Sequence, residues 1–125
     1  MQYIGKINIE IYKVITEDIA TDEVIITEER IAHIKERHPN DYEKYSKYIA
    51  EILEHPDYIL ESDKPKTAFV LKEIVENSKT FKLILRLKTS ADPENYKNSV
   101  ITFMKINQTE YKRLIKNKKV LYKYE

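Results

Sequence analysis

The sequence predicts an α+β fold in which an N-terminal strand and two helices pack on a mainly antiparallel sheet of four to five strands. Three observations predict it. Apolar residues alternate in period two at the N-terminus and in four runs of the second half. Between them, residues 27–54 carry helix start and stop signals with period-3.6 spacing. Short turn-forming stretches separate the late strands, which favours antiparallel neighbours over long crossovers. No linker, repeat or low-complexity tract divides the 125 residues, so one domain over 1–125 is expected.

Residues 3–15 (YIGKINIEIYKVI) read as the first strand, with Ile7, Ile9 and Ile11 alternating against Asn8 and Glu10. Residues 23–26 (EVII) form a second, short one. Thr27 is a good N-cap, and Glu28 and Glu29 place negative charge in the first turn, where the helix dipole favours it. That helix ends at Arg37, because His38 precedes Pro39 and is pushed out of the α region. Asn40 and Glu43 stand in capping-box spacing for a second helix that reaches Glu54, with Tyr45, Tyr48, Ile49 and Ile52 as its core stripe. Residues 57–62, 67–76, 80–89 and 98–106 are rich in β-branched and aromatic residues and read as strands. A short helix from Thr109 to Asn117 and a Tyr-rich tail close the chain. The core should join Phe81, Leu83, Leu85 and Leu87 to Ile31, Ile34, Ile49 and Ile52.

Composition removes whole classes of chemistry. There is no cysteine, so disulfides, thiolate metal sites and cysteine nucleophiles are excluded. The single glycine, Gly5, excludes the glycine-rich loops of dinucleotide-binding folds and P-loop NTPases. His33 and His38 are five apart, not the four of a zinc-binding helix, and no metal site or cofactor is expected. No stretch resembles a signal peptide or is apolar enough to cross a bilayer, so a cytoplasmic protein without a membrane partner is expected.

Charge is divided along the chain. Residues 1–63 hold 7 Lys+Arg against 15 Asp+Glu, a net −8; residues 64–125 hold 15 against 6, a net +9. Such a split points to a basic surface in the second half that meets a polyanion, or to two halves whose charges cancel on packing. Two clusters stand out. Arg30, His33 and Arg37 share one helix face, with His38 at the helix end. On the strand 80–89, Phe81, Leu83, Leu85 and Leu87 point one way, while Lys82, Ile84, Arg86 and Lys88 point the other. Guanidinium and ammonium groups in a row suit phosphate oxygens. On the next strand Ser99, Ile101, Phe103 and Lys105 would share one face and Val100, Thr102 and Met104 the other.

The ordered series is the informative feature: a helix ending Arg37-His38-Pro39, a second helix giving way to a strand through HPDYIL, then a strand reading Asn98-Ser99-Val100-Ile101-Thr102-Phe103. It resembles the phage-associated nuclease-like domains of the barnase–EndoU–colicin–RelE class, the BECR fold. The resemblance covers roughly residues 22–124 and leaves the first strand outside. It implies a metal-independent endoribonuclease, toxin-like or phage-encoded, whose open sheet face is the cleft. Its partners would be RNA, transfer RNA included, and a cognate inhibitor protein. Such an enzyme needs a base for the 2′-hydroxyl, an acid for the leaving oxygen and cations for the phosphorane. His38 then becomes the proton-transfer residue, Arg37 and Lys88 the cations, and Ser99 and Thr102 hydrogen-bond donors. His33, Arg86, Lys105 and Tyr96 become substrate contacts, with Tyr96 stacking on a base. No glutamate stands out as the base. The alternative is a non-catalytic phage accessory or polyanion-binding module of the same fold.

Overall fold

A computed structural model describes residues Met1–Glu125. In chain order the elements are β1 (Gln2–Lys6), α1 (Ile9–Tyr12), β2 (Glu23–Ile26), α2 (Glu28–Arg37), α3 (Asp41–Tyr45), α4 (Ile49–Glu54), β3 (Tyr58–Leu60), β4 (Thr67–Ile74), β5 (Lys79–Arg86), β6 (Asn98–Ile106), α5 (Gln108–Asn117) and β7 (Val120–Lys123). The strands form one sheet in the order β1-β2-β6-β5-β4-β3-β7. All neighbours are antiparallel except β2 and β6, which run parallel over Val24–Asn98 and Ile25–Ser99. The class is α+β as expected, but the sheet has seven strands rather than four or five. The additional strands are at the two chain ends: the expected N-terminal strand joins the sheet as β1 by pairing with β2, and the Tyr-rich tail, not read as a strand, pairs with β3 as β7.

The sheet has two differently covered faces. On one, Phe81, Leu83, Leu85 and Leu87 are fully buried with Ile34, Ile49, Ile52, Leu53 and Tyr12. Ile31 is only partly buried at the margin of this core. Burial of these side chains supplies the main driving force, roughly 1.5–3 kcal/mol for each large aliphatic one. On the opposite face a smaller cluster joins Leu60, Phe69, Leu71 and Ile106 to Tyr111 and Leu114 of α5. The closing helix therefore lies across the sheet from α2 and α4. It covers only part of its face, and the remainder stays open.

Four local differences from the sequence reading have physical causes. The first strand stops at Lys6, because Asn8 turns the chain: its Oδ1 accepts from the Glu10 N–H at 3.1 Å and caps the one-turn α1, which buries Tyr12. Asn40 does not act as a capping box. It adopts the left-handed conformation (φ 73°), which closes the turn in which the Asp41 N–H donates to the His38 carbonyl at 3.1 Å. The predicted helix 40–54 is split by a 3₁₀ turn at Ser46–Tyr48. That tighter turn aligns side chains three apart, and Tyr45 and Tyr48 both lie against Phe81, at 5.2 and 5.7 Å between ring centres. Finally, a bulge in β6 opposite Ile84 and Leu85 changes the side-chain alternation. Val100 and Phe103 both enter the helix-side core, so Phe103 does not share a face with Ser99.

Gly5 is the residue the β1 bulge requires. Its φ of +144° strains any side chain, and a Cβ there would lie 3.5 Å from the Ala50 Cβ of α4.

Candidate functional site

The uncovered part of the α5-side face is a cleft of about 690 Å³. Its floor is Thr67 and Phe69 of β4, Lys82, Ile84 and Arg86 of β5, and Ile101 of β6. The walls are the β3–β4 loop (Ser62 to Pro65), Lys118 just past α5, and Arg30 from α2. Arg30 reaches this face because β2 pairs with only the first residues of β6, so the chain leaves the sheet early and α2 runs along the rest of that strand.

Five cations line the cleft: Arg30, Lys64, Lys82, Arg86 and Lys118. Only Arg86 is in an ion pair, with Asp92. Asp63 is the one carboxylate among the lining side chains. The Lys82 and Lys118 ammonium groups sit over the Phe69 ring, 5.4 and 5.1 Å from its centre. The ring's negative face holds both, yet it neutralises neither. Burial lowers the pKa of Lys82 below the usual lysine value; Glu110 opposes that shift, while Lys118 and Arg113 add to it. Two unneutralised ammonium groups over one ring leave room for an incoming anion.

Arg86 is held differently. Its Nη2 donates to Asp92 Oδ1 at 2.9 Å, its Nη1 donates to Oδ2 at 3.2 Å, and Nη1 also donates to the Leu87 carbonyl. Asp92 in turn accepts from the Thr89 N–H at 2.8 Å and the Thr89 hydroxyl at 3.2 Å. The Arg86 hydrogen bond, followed by the one from the Thr89 backbone, holds the Asp92 carboxyl well below the usual range. The guanidinium is thus fixed at the edge of the cleft before any ligand arrives.

On its other side Arg86 lines a second cavity of about 390 Å³, with Lys88, Asn95, Tyr96, Lys97 and Ser99. Ser99 stands opposite Arg86 in the β5–β6 register, and Thr102 opposite Ile84. Arg86, Lys88, Ser99, Thr102 and Tyr96 are therefore drawn to one stretch of the sheet. His38 and Arg37 lie elsewhere. They end α2, and His38 is eight residues past Arg30, about 12 Å along the helix. Asp41, three residues further on, accepts from the Lys105 N–H at 3.2 Å. That places the helix end beside the far end of β6, roughly 20 Å along the strand from Asn98, whose side chain accepts from the Lys88 N–H at 2.7 Å. Lys105 is exposed there at the strand edge. His33 is exposed on α2 beside a shallow cavity that Glu29 and Glu36 also line. The geometry thus separates His38, Arg37 and Lys105 from Lys88, Ser99, Arg86 and Tyr96, whereas His33 stands one helical turn from Arg30, which lines both that shallow cavity and the cleft.

Arg30, Lys64, Lys118 and Asp92 carry no local sequence signal for a shared site. Arg30, Lys64 and Lys118 meet only through the sheet order, and Asp92 meets Arg86 from the loop that follows β5. Nowhere do three His, Cys, Asp or Glu side chains converge closely enough to hold a metal ion. No helix is long and apolar enough to cross a membrane.

A mixed sheet with an open, cation-lined face defines a domain suited to a phosphate-bearing polymer. The model of the phage-Barnase-EndoU-ColicinE5/D-RelE like nuclease2 family matches residues 1–123, and the chain belongs to that family of nuclease domains. The match begins at residue 1, so the N-terminal strand that the resemblance left outside is part of the family's domain. Neither the curated proteins nor the solved structures include a match.

Proposed function

We propose that this nuclease domain is a metal-independent endoribonuclease whose active site is the cleft between β4, β5 and α5, not the end of α2. The observation that carries the reading is the set of unpaired cations, Arg30, Lys64, Lys82 and Lys118, around a half-buried sheet face. In this reading the RNA phosphate lies over Phe69 and Ile84. Arg86 is the fixed cation for the developing phosphorane, and Lys118 and Arg30 complete the charge. The substrate's own 2′-hydroxyl attacks the adjacent phosphorus. A base in the cleft takes its proton, the bond from phosphorus to the 5′-oxygen breaks to leave a 2′,3′-cyclic phosphate, and an acid in the cleft protonates the departing 5′-oxygen.

Lys82 supports the proton-transfer role best, because the cleft already disfavours its charged form. His38 remains the competing assignment from the sequence. It would require RNA to run along the outer side of β6 towards Lys105. The binding-module alternative keeps the same cations and omits proton transfer.

The test is incubation of the protein with total RNA and with transfer RNA in EDTA, comparing wild type, Lys82→Ala, Arg86→Ala and His38→Ala. Cleavage by wild type and His38→Ala, with loss in the other two, supports this site. Loss confined to His38→Ala moves the chemistry to the helix end. Binding without cleavage in all four leaves the binding module.

A further inference from the structure

The loop that closes the second cavity is unusually well anchored for a surface segment. Its start is tied by Ser90, whose hydroxyl donates to Asp18 Oδ2 at 2.6 Å, and by Asp92, which holds Arg86 and Thr89. Its end is tied by the Lys97–Glu23 ion pair at 2.7 Å and by Asn98, whose amide donates to the Thr21 and Glu23 carbonyls at 2.7 and 3.0 Å. Between these anchors the Tyr96 N–H donates to the Pro93 carbonyl at 3.0 Å, closing a turn. Yet the Tyr96 side chain is 56% exposed and stacks on no other aromatic ring. A fixed backbone presenting a bare ring is not explained by core packing. It is the arrangement that a stacking platform needs.

Position relative to the cleft supplies the second observation. Arg86 lines both cavities, so the two are joined through one guanidinium. Lys88 follows Arg86 by two residues, about 7 Å along the chain. It forms no ion pair, and Ser99 and Asn95 add polar groups beside it. Lys82, Arg86 and Lys88 therefore form a cationic row that begins in the cleft and ends in the second cavity.

We propose that the Tyr96 cavity is a second nucleotide subsite for single-stranded RNA. The base neighbouring the phosphate at Arg86 stacks on Tyr96, and Lys88 contacts the next phosphate. This rests on the cleft being the nuclease site and adds to it a minimum substrate length and a requirement for unpaired bases, since a base in a duplex cannot reach the ring.

The experiment measures binding of 2′-O-methyl oligonucleotides, which lack the attacking hydroxyl, as a dinucleotide and as a tetranucleotide. Wild type is expected to bind the tetranucleotide more tightly. Tyr96→Ala should erase about 5- to 150-fold of that advantage, the usual worth of one base stacked on an aromatic side chain. Tyr96→Phe should keep it. Lys88→Ala should reduce the salt dependence of tetranucleotide binding by about one phosphate. Thermal melts check that all three variants fold. Equal affinities of wild type and Tyr96→Ala for both lengths overturn the subsite, as does tighter binding of a duplex than of a single strand. Cleavage of the unmodified tetranucleotide is read separately. Its absence, with length-dependent binding intact, counts against the endoribonuclease and not against the subsite.

Discussion

Arg86 and Asp92 meet fork to fork, with Nη2 2.9 Å from Oδ1 and Nη1 3.2 Å from Oδ2, and that pair joins the middle of the sheet to the loop carrying Tyr96. A carboxylate beside the guanidinium proposed to meet the phosphate looks self-defeating, since the two formal charges cancel. Its effect is positional: two parallel hydrogen bonds fix the plane of the guanidinium and leave one edge for a ligand.

Arg86→Lys should therefore behave as a drastic change. An ammonium cannot make the two parallel bonds, so both the loop anchor and the fixed cation are weakened. The expected loss in kcat is about 10²-fold or more, comparable with removal of one preorganised donor. Melting should shift down by a few degrees. Near-wild-type turnover in Arg86→Lys would show that the planar fork is dispensable.

The acid behaviour of the same pair has a definite sign. Asp92 is lowered in the folded chain, so its contribution is fully present above the ordinary Asp value of about 3.9 and is lost as pH falls below it towards the folded value. Asp92→Asn should melt lower than wild type by a constant amount from pH 8 down to about pH 5. The gap should then shrink as the solution is acidified further. Melting curves at half-unit pH steps check this, and a gap that opens between pH 6 and 8 would point to a different titrating group.

Much of this fold was legible in the sequence. The alternation of Phe81, Leu83 and Leu85 against Lys82, Ile84 and Arg86 survives because β5 is central and regular, with one face packed and the other half-open. Thr27 caps α2 as read, accepting from the Arg30 N–H at 3.2 Å. The β6 bulge, the left-handed Asn40 and the docking of β7 on β3 are set by tertiary partners, and period-two or capping patterns cannot reveal them. The cleft was harder still. Its cationic row along β5 was visible, but Arg30, Lys64 and Lys118 come from three separate segments, and only the strand order brings them together. His38 stands out in the sequence through its company, with Arg30, His33 and Arg37 on one face of the helix that it ends, but a helical pattern does not say which stretch of the sheet that end meets.

Lys82→Met should separate stability from function. The folded chain disfavours the Lys82 ammonium, so this charge costs stability at neutral pH, and that cost is relieved as pH rises or an anion binds. A thioether of similar length can lie over Phe69 without it. The melting temperature of the variant is expected at or above that of wild type, while RNA cleavage falls by about 10²-fold or more. Adding a short oligonucleotide should raise the melting temperature of wild type more than that of the variant. A large drop in melting temperature would show that Lys82 is a structural group.

Tyr12→Phe addresses the other face of the sheet. The Tyr12 hydroxyl is fully buried and donates to the Leu53 carbonyl at 2.8 Å, pinning α1 to the end of α4. Burial raises the phenol far above its ordinary pKa, so it stays a neutral donor throughout the working range. Its removal should cost about 1–2 kcal/mol by chemical denaturation. Since Tyr12 lies across the sheet from the cleft, kcat and KM should be unchanged, and a matching loss of activity would argue that the helix-side core positions the site.

The decisive comparison is between two histidines and a lysine. His38 and His55 both end helices before a proline, each with its backbone N–H donating to a carbonyl four residues earlier at 2.8 Å. Neither reaches the cleft, whose lining contains no histidine. If the cleft is the reaction centre, His38→Ala and His55→Ala should both keep cleavage within a few-fold of wild type, and Lys82→Ala should lose about 10²- to 10⁴-fold. The pH profile gives an independent readout. A reaction depending on Lys82 should show its limb on the alkaline side, below the ordinary lysine value, and that limb should survive His38→Ala. Loss of cleavage in His38→Ala alone, with folding intact and His55→Ala active, would place proton transfer at the end of α2 and overturn the cleft assignment.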